Sequence, residues 1–195
     1  MIKPARLFLY DDYKGTRDYL RVQGHYELAR TILYFAISLS LFVAGILATG
    51  DRMNLLTIVA VLGCLPACKS AIDTFMFMRY KGCSAQNADE IDAQMEGLQG
   101  LYDRVFTSYD RNFQVAHITV KGNTLCGFTQ DPAFEEQLFR EHITGLLKKD
   151  GFADVSVKIF DDIRKYTDRL EQLKVLDTEE RNTEGILNTL KDVSL

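Results

Sequence analysis

Two long apolar runs near the start of this 195-residue chain constrain its fold more than any other feature. Residues 31–50 (TILYFAISLSLFVAGILATG) carry no charge and, as a helix, are about 30 Å long, the thickness of a bilayer core. Residues 53–68 are again uncharged, and apolar residues continue to Met78. Both runs lack the polar stripe of a surface helix. We therefore predict a transmembrane hairpin over 31–79, with helices at about 31–50 and 54–78, in preference to two buried helices of a soluble core.

The second run contains a polar pair near its end. Lys69 and Asp73 stand one helical turn apart, so they can form an ion pair while the lysine stem snorkels toward the interface. Pro66 predicts a kink, and the small residues beside it would allow the first helix to approach closely. Lys69 and Asp73 could form a coupling or ion site at membrane depth, but a kinked anchor with a snorkelled ion pair is the reading we favour.

The distribution of basic residues predicts the orientation of the hairpin. Eight of them flank its open end, whereas only Arg52 lies in the turn. By the positive-inside rule, both chain ends face the cytoplasm and the protein lies in the cell membrane. The eight are Lys3, Arg6, Lys14, Arg17, Arg21, Arg30, Arg79 and Lys81.

Charge is divided unevenly between the two parts of the chain. Residues 1–83 carry ten Lys and Arg against six Asp and Glu, which suits an anionic membrane surface. Residues 84–195 carry thirteen against twenty-one, and this acidic balance argues against nucleic-acid binding. The partners we expect are the lipid bilayer and another protein or a second copy of the chain.

Cysteine and histidine usage predicts no metal or redox centre. Cys64, Cys68, Cys83 and Cys126 form no CxxC pair and have no histidine at zinc spacing, so we expect packing roles in a reducing cytoplasm and no cofactor. His25 and His142 are isolated on predicted helices. The opening residues turn acidic before an adequate apolar core develops, so no signal peptide is expected.

The N-terminal segment, 1–30, is predicted to be cytoplasmic or interfacial. Residues 7–10 (LFLY) form a short apolar patch that suits a strand or an interfacial segment. Thr16 looks like a helix N-cap, and an apolar stripe from Tyr19 leads into the first membrane run. This stripe suits either a helix lying in the interface or a helix packed on the soluble domain, and the sequence leaves both open.

The rest of the chain predicts a small cytoplasmic α/β domain, 89–195, after a polar linker at 80–88. The fold class is α/β (α+β), with a mixed sheet of three to four strands attached to the transmembrane hairpin. We expect a helix at about 89–110, a hairpin of strands 113–121 and 124–129, and a helix beginning at Asp131-Pro132. A parallel strand at 154–160 should follow, then a helix at 162–176 and a last helix capped by Thr178. The patch at 7–10 could supply a fourth strand.

Few residues suggest chemistry in this domain. The order of helix, hairpin, helix and strand resembles nuclease cores of the PD-(D/E)xK type, but the hairpin lacks their acidic residues. His117 and Cys126 lie on paired strands and are the candidate catalytic residues, as a base and a thiol nucleophile, although core packing is the commoner role of such residues. Asp161-Asp162 follows a strand and suits either a cation site or, as we favour, a helix cap. No phosphate loop or dinucleotide fingerprint is present.

The run FTSYDRNF to HITVKGNTLCGFT, with the hairpin before it, resembles an uncharacterised family of small bacterial membrane proteins with a two-helix hairpin and a cytoplasmic tail. The resemblance implies this architecture, and it brings no activity and no site residues.

We therefore expect a membrane-anchored cytoplasmic interaction or adaptor domain. Whether the chain is an enzyme is uncertain, and the alternative is a small membrane-tethered hydrolase or nuclease-like enzyme that uses the hairpin residues. A further alternative is an accessory subunit of a transporter, contacted through Lys69 and Asp73.

Overall fold

The computed structural model describes residues 13–109, 111–176 and 182–195. These residues fall into two compact units, one containing residues 20–81 and the other containing residues 13–19 and 82–195. The predictions made for residues 7–10 and for Thr178 lie outside the described residues.

The first unit is a pair of antiparallel helices, α1 (Tyr19–Thr49) and α2 (Leu55–Arg79). Both are long and apolar enough to cross a membrane, which confirms that part of the prediction. Small residues recur every seven positions along α1, and seven residues make about two helical turns, so they form one stripe facing α2. The facing pairs are Gly24 with Phe77, Thr31 with Ser70, Ser38 with Gly63, and Gly45 with Leu56.

The helices approach closely along this stripe. A Cβ atom added to Gly63 would lie 2.8 Å from the Ser38 hydroxyl, and one added to Gly45 would lie 3.0 Å from the Leu56 Cβ. Ala67 is fully buried, which agrees with the close approach of α1 predicted at the small residues beside Pro66. The helix α2 continues through Pro66. Packing between small residues is the usual basis of helix association in a membrane.

The basic, tyrosine-rich segment before the first apolar run is part of α1. Residues 19–30 are the first three turns of that helix, and buried side chains from them contact the last turns of α2. The cap predicted at Thr16 is wrong: its hydroxyl donates to the Tyr13 carbonyl, and the helix begins only after Asp18, whose φ of 60° breaks the helical path. A capping hydroxyl would instead accept from an N–H group of the first turn.

The second unit contains a four-stranded mixed sheet, which confirms the predicted fold class. The strands β1 (Gln99–Thr107), β2 (Asn112–Lys121), β3 (Thr124–Phe128) and β4 (Ser156–Phe160) lie side by side in that order. The first three are antiparallel, and β4 runs parallel to β3. The helices are α3 (Ala85–Asp92), α4 (Glu136–Lys149), α5 (Ile163–Val175) and α6 (Thr183–Asp192).

Helices cover both faces of this sheet. Phe139 and Ile143 of α4, with Ile186 of α6, pack with sheet residues such as Val115 in one apolar cluster. Tyr166 and Leu170 of α5, with Ile91 of α3, pack in a second cluster that contains Cys126 and Phe128. The domain is therefore a three-layer sandwich, and its middle strands are buried on both sides.

The helix predicted over 89–110 is wrong beyond its first turn. α3 ends at Asp92, and Gly97, with a φ of +76°, lies in the turn that leads to β1. β1 supplies the fourth strand of the sheet. The spacing of Ile91, Met95 and Tyr102 suggested one face of a single helix. All three side chains do reach one apolar cluster, but from α3, from the turn after it and from β1, respectively.

Two further boundaries differ from the prediction. α4 begins at Glu136, because Asp131 caps a turn by accepting from the Ala133 N–H at 2.9 Å. The linker predicted at 80–88 is ordered: the Cys83 N–H donates to Asp103 at 2.7 Å, and Ser84 caps α3. The chain is thus held against the domain from residue 83 onward.

Candidate functional site

A buried polar cluster lies between the sheet and α5. Nδ1 of His117, on β2, is 2.7 Å from the Tyr166 hydroxyl on α5. The same hydroxyl is 3.2 Å from Oγ1 of Thr119, which lies two residues beyond His117 on β2. All three side chains are fully buried, so their hydrogen bonds replace those they would make with water.

Tyr102 extends the cluster to the surface. Its ring centroid is 4.3 Å from that of His117, and its hydroxyl donates to Asp92 Oδ1 at 2.6 Å. The other oxygen of Asp92 accepts from Arg17 at 3.0 Å. Burial, followed by the hydrogen bond to Asp92, raises the pKa of Tyr102 above its ordinary value, so it stays a neutral donor. Tyr102 therefore links an exposed ion pair, through its hydroxyl, to the core histidine, through a ring contact.

The environment of His117 holds its imidazole neutral. Burial lowers the pKa of His117 to about 3, because an imidazolium there would lose its hydration. Its Nε2 atom has no hydrogen-bond partner among the described residues, and a Cβ added to Gly100 would lie 2.7 Å from it. The β1 backbone thus fills the space on that side of the ring.

The structure places Cys126, the second candidate catalytic residue, in the apolar cluster that contains Tyr166, but Cys126 is not the residue opposite His117. Thr119 faces Cys126 in the sheet register, whereas His117 faces Phe128. Burial raises the pKa of the Cys126 thiol, with a smaller opposing effect of Arg169. A buried neutral thiol and a buried neutral imidazole lack the thiolate and the solvent access that nucleophilic catalysis requires.

The positions expected of a nuclease site carry no acid, since β2 and β3 contain no Asp or Glu. Asp162 caps α5 by accepting from the Arg164 N–H at 2.8 Å, as favoured from the sequence, and Asp161 beside it is exposed. Within the described ranges no group of three or more His, Cys, Asp or Glu side chains is arranged to hold a metal ion.

The other two histidines lie on helices, as predicted. His25 is exposed on α1, and its Nδ1 atom is 2.7 Å from the Arg21 carbonyl oxygen. His142 borders a shallow hollow of about 250 Å³, and Tyr109, fully exposed, stands near it at the turn after β1. The hollow is lined by Ser108, Arg111, Phe113, Leu138, Glu141 and His142.

A second polar cluster, which the sequence interpretation missed, lies between α1 and α2. Glu27 is 2% exposed; its carboxylate accepts from Gln23 Nε2 at 3.1 Å and pairs with Arg30 at 3.1 Å. From α2, Ser70 donates to it at 3.4 Å and accepts from Thr31 at 3.0 Å. The spacing of seven between Gly24, Thr31, Ser38 and Gly45 was the signal in the sequence that could have revealed this face.

The predicted pairing of Lys69 with Asp73 is present. Their side chains meet at 2.9 Å on the outer surface of α2, with Lys69 79% exposed. They stand beside Ser70 and hence at nearly the same level as Arg30 on α1. Counted from the turn between the helices, the first charged residue of each helix, Arg30 on α1 and Lys69 on α2, therefore lies at nearly the same level.

Comparison of the chain with protein-family models, curated proteins and solved structures finds no match. The family suggested by the sequence is therefore not identified. The part of that resemblance that the structure confirms is the pair of long apolar helices.

Proposed function

We propose that this protein is a membrane-anchored interaction protein in which α1 and α2 cross the bilayer and hold the α/β domain at its cytoplasmic face. One observation carries the proposal. Of the 22 large apolar side chains exposed in the described residues, 18 lie between Leu28 and Met78. A soluble protein rarely leaves so large an apolar surface in water, and a bilayer covers it.

The length of the uncharged stretch supports this placement. Residues 32–49 of α1 contain no charge and span about 27 Å, close to the thickness of a bilayer core. A soluble core would bury these helices, yet only 17% of the most apolar window of each is buried. The basic residues at the open end, against Arg52 alone at the turn, favour cytoplasmic chain ends.

An interaction role suits the domain better than catalysis does. Its candidate chemical groups, His117, Cys126 and Tyr166, are buried in the core, and they are neutral. The hollow near Tyr109 is shallow, and in the part of the chain that the structure describes no hydrogen bond joins the Ser108, Glu141 and His142 side chains that line it. Recruitment of a protein partner, or of a second copy, requires only a surface and an anchor.

Placement in the membrane is tested by labelling single cysteines in intact cells. Met53→Cys, in the turn between the helices, should react with a membrane-impermeant maleimide added outside. The matched variant Asp168→Cys, exposed on α5, should react only after the membrane is permeabilised. The wild-type chain gives the background from the native cysteines. Release of the protein by alkaline carbonate would overturn the proposal.

The interaction role is tested by the size of the full-length protein extracted in mild detergent. Light scattering should show a protein mass larger than one chain of 22.2 kDa, from a partner or from further copies. A lone monomer at all concentrations, together with a turnover that His117→Gln abolishes, would favour the enzymatic alternative.

A further inference from the structure

The two outer strands of the sheet, β1 and β4, differ in how their free edges are covered. On β1, the Tyr102 N–H donates to the Gly15 carbonyl at 2.8 Å, and the Tyr102 carbonyl accepts from Arg104 Nε at 3.0 Å. Farther along, the Val105 carbonyl accepts from the Leu195 N–H at 2.9 Å. Hydrogen bonds therefore occupy the edge of β1, and a covered edge keeps a sheet from pairing with further strands.

β4 forms the other edge of the sheet. The Ser156 N–H donates to the Asn123 carbonyl at 2.8 Å, so the main-chain groups of Ser156 point toward β3. This direction alternates along a strand, and Val157 and Ile159 therefore direct their N–H and C=O groups away from the sheet. No residue that the structure describes hydrogen-bonds to these groups. The edge of β4 is thus open where that of β1 is covered.

Opposite charges stand along this open edge without ion-pair partners. Asp154 and Lys158 are both exposed, and neither pairs with a charged group of a described residue. Lys158 Nζ instead lies 5.1 Å from the centroid of the Phe160 ring. Exposed and buried residues alternate from Asp154 to Ile159, so the two charged side chains lie on the same face. Ser156, also exposed, lies midway between them.

We propose that β4 pairs antiparallel with β4 of a second copy of this chain, around a two-fold axis beside Ser156. In this register Lys158 of each copy faces Asp154 of the other, and Val157 exchanges main-chain hydrogen bonds with Val155 of the other. The two sheets then form one continuous sheet. The pairing rests on the proposed interaction role and deepens it, because it names a second copy as the partner.

The charges favour this register over its neighbours. A shift of the axis by one residue in either direction would set Lys158 and Asp154 against uncharged residues. An axis at Lys158 would set the two lysines against each other, and like charges directly opposite destabilise a sheet. A lysine on an edge strand ordinarily discourages pairing, so Lys158 disfavours other strands, while Asp154 admits a copy of this one.

A disulfide at the axis tests the pairing. Ser156 would face its own counterpart with the two Cα atoms about 4.5 Å apart, a distance that a disulfide can bridge. In the full-length chain without Cys64 and Cys68, extracted in mild detergent, Ser156→Cys should therefore form a covalent dimer on mild oxidation. The matched variant Asp161→Cys, exposed just beyond β4, should give no more dimer than the parent chain.

Charge reversal tests the register. Lys158→Glu or Asp154→Lys alone should lower the yield of the Ser156→Cys dimer several-fold, because each sets like charges against each other. The two changes together should restore the yield, because they only exchange the charges. Lys165→Glu, exposed on α5, is the control and should leave the yield unchanged.

Light scattering of the wild-type chain separates this pairing from the broader interaction role. A mass above 22.2 kDa without a Ser156→Cys dimer, or with a dimer that the charge reversals leave unchanged, overturns the pairing and leaves the interaction role standing. A lone monomer at all concentrations overturns the pairing and, together with a turnover that His117→Gln abolishes, the interaction role as well. A dimer that the double reversal restores supports both.

Discussion

The hydroxyl of Tyr166 lies 2.7 Å from Nδ1 of His117 and joins α5 to the middle of the sheet. Because both groups are fully buried, water cannot replace the hydrogen bond between them. Tyr166→Phe would leave Nδ1 of His117 with only the longer contact to the Thr119 hydroxyl, at 3.5 Å.

We expect Tyr166→Phe to lower the free energy of unfolding by about 1–3 kcal/mol, the cost of an unsatisfied buried polar group. Urea unfolding of the full-length chain in detergent measures it. Tyr109→Phe removes the same hydroxyl from a fully exposed ring and should change nothing measurable. Equal stability of the two variants would show that the contact to His117 contributes nothing.

His117 should make the domain less stable in acid. Its pKa is about 3 in the folded state against about 6.5 in the unfolded chain, so protons bind the unfolded state preferentially. Stability is therefore lost as the pH falls below about 6.5, and the loss continues to about pH 3. Between pH 7.5 and 5 it should amount to roughly 2 kcal/mol.

The contribution of His117 is separated from that of the carboxylates by His117→Gln, which does not titrate. Unfolding curves of the wild type and this variant at several pH values should converge toward low pH. Parallel curves would mean that the pKa of His117 is the same in the folded and unfolded states, as expected of a solvated imidazole.

Two glycines should respond oppositely to alanine. A Cβ on Gly100 would meet both the His117 ring and the Ile118 carbonyl at 2.7 Å, so Gly100→Ala should destabilise the domain by about 1–3 kcal/mol. Gly145 lies inside α4, where a Cβ would meet no described atom within 4 Å beyond its chain neighbours and the adjacent helical backbone, and Gly145→Ala should stabilise the domain by about 0.5–1 kcal/mol. Thermal unfolding of both variants measures the difference.

The two neighbouring aspartates after β4 should differ in effect. Asp162→Ala removes the cap of α5 and should cost about 1 kcal/mol, whereas Asp161→Ala should be neutral. If the pair instead bound a cation, adding Mg²⁺ or Ca²⁺ would raise the melting temperature and both variants would abolish that rise. A melting temperature unaffected by either ion is the expected result.

The register between α1 and α2 is testable by a disulfide. The Cβ of Ser38 lies 3.8 Å from a Cβ built on Gly63, a separation typical of disulfides. In a chain without Cys64 and Cys68, Ser38→Cys with Gly63→Cys should oxidise readily. Mass spectrometry would detect the loss of two hydrogens. Ser38→Cys with Leu62→Cys, which is exposed, should remain reduced unless the register is different.

Local patterns predicted the apolar helices and the β2–β3 hairpin, because a long uncharged run and the Gly122-Asn123 turn each act within a few residues. β1 was missed because Met95 and Tyr102 have helical spacing, and only the turn at Gly97 shows that they reach the core from different elements. Pairing of this segment with β2 outweighed the preference for a helix that its apolar spacing indicated.

The polar contacts were less predictable than the elements. The hydrogen bond between His117 and Tyr166 could not be predicted from local patterns, because the two residues are 49 positions apart and meet only when α5 packs on the sheet. That Glu27 would be buried depends on the register between two helices. Ionic pairing of Lys69 with Asp73 needed only one turn of one helix, and it was predicted correctly.

The repeat of seven that matches α1 to α2 also makes the hairpin adjustable in length. Deleting the seven residues between two successive facing pairs from each helix would keep three of the four pairs in register and shorten the hairpin by about 10 Å. Under the proposed membrane placement, bilayers of different thickness would be matched in whole steps of two turns, with the same helix contacts at each step.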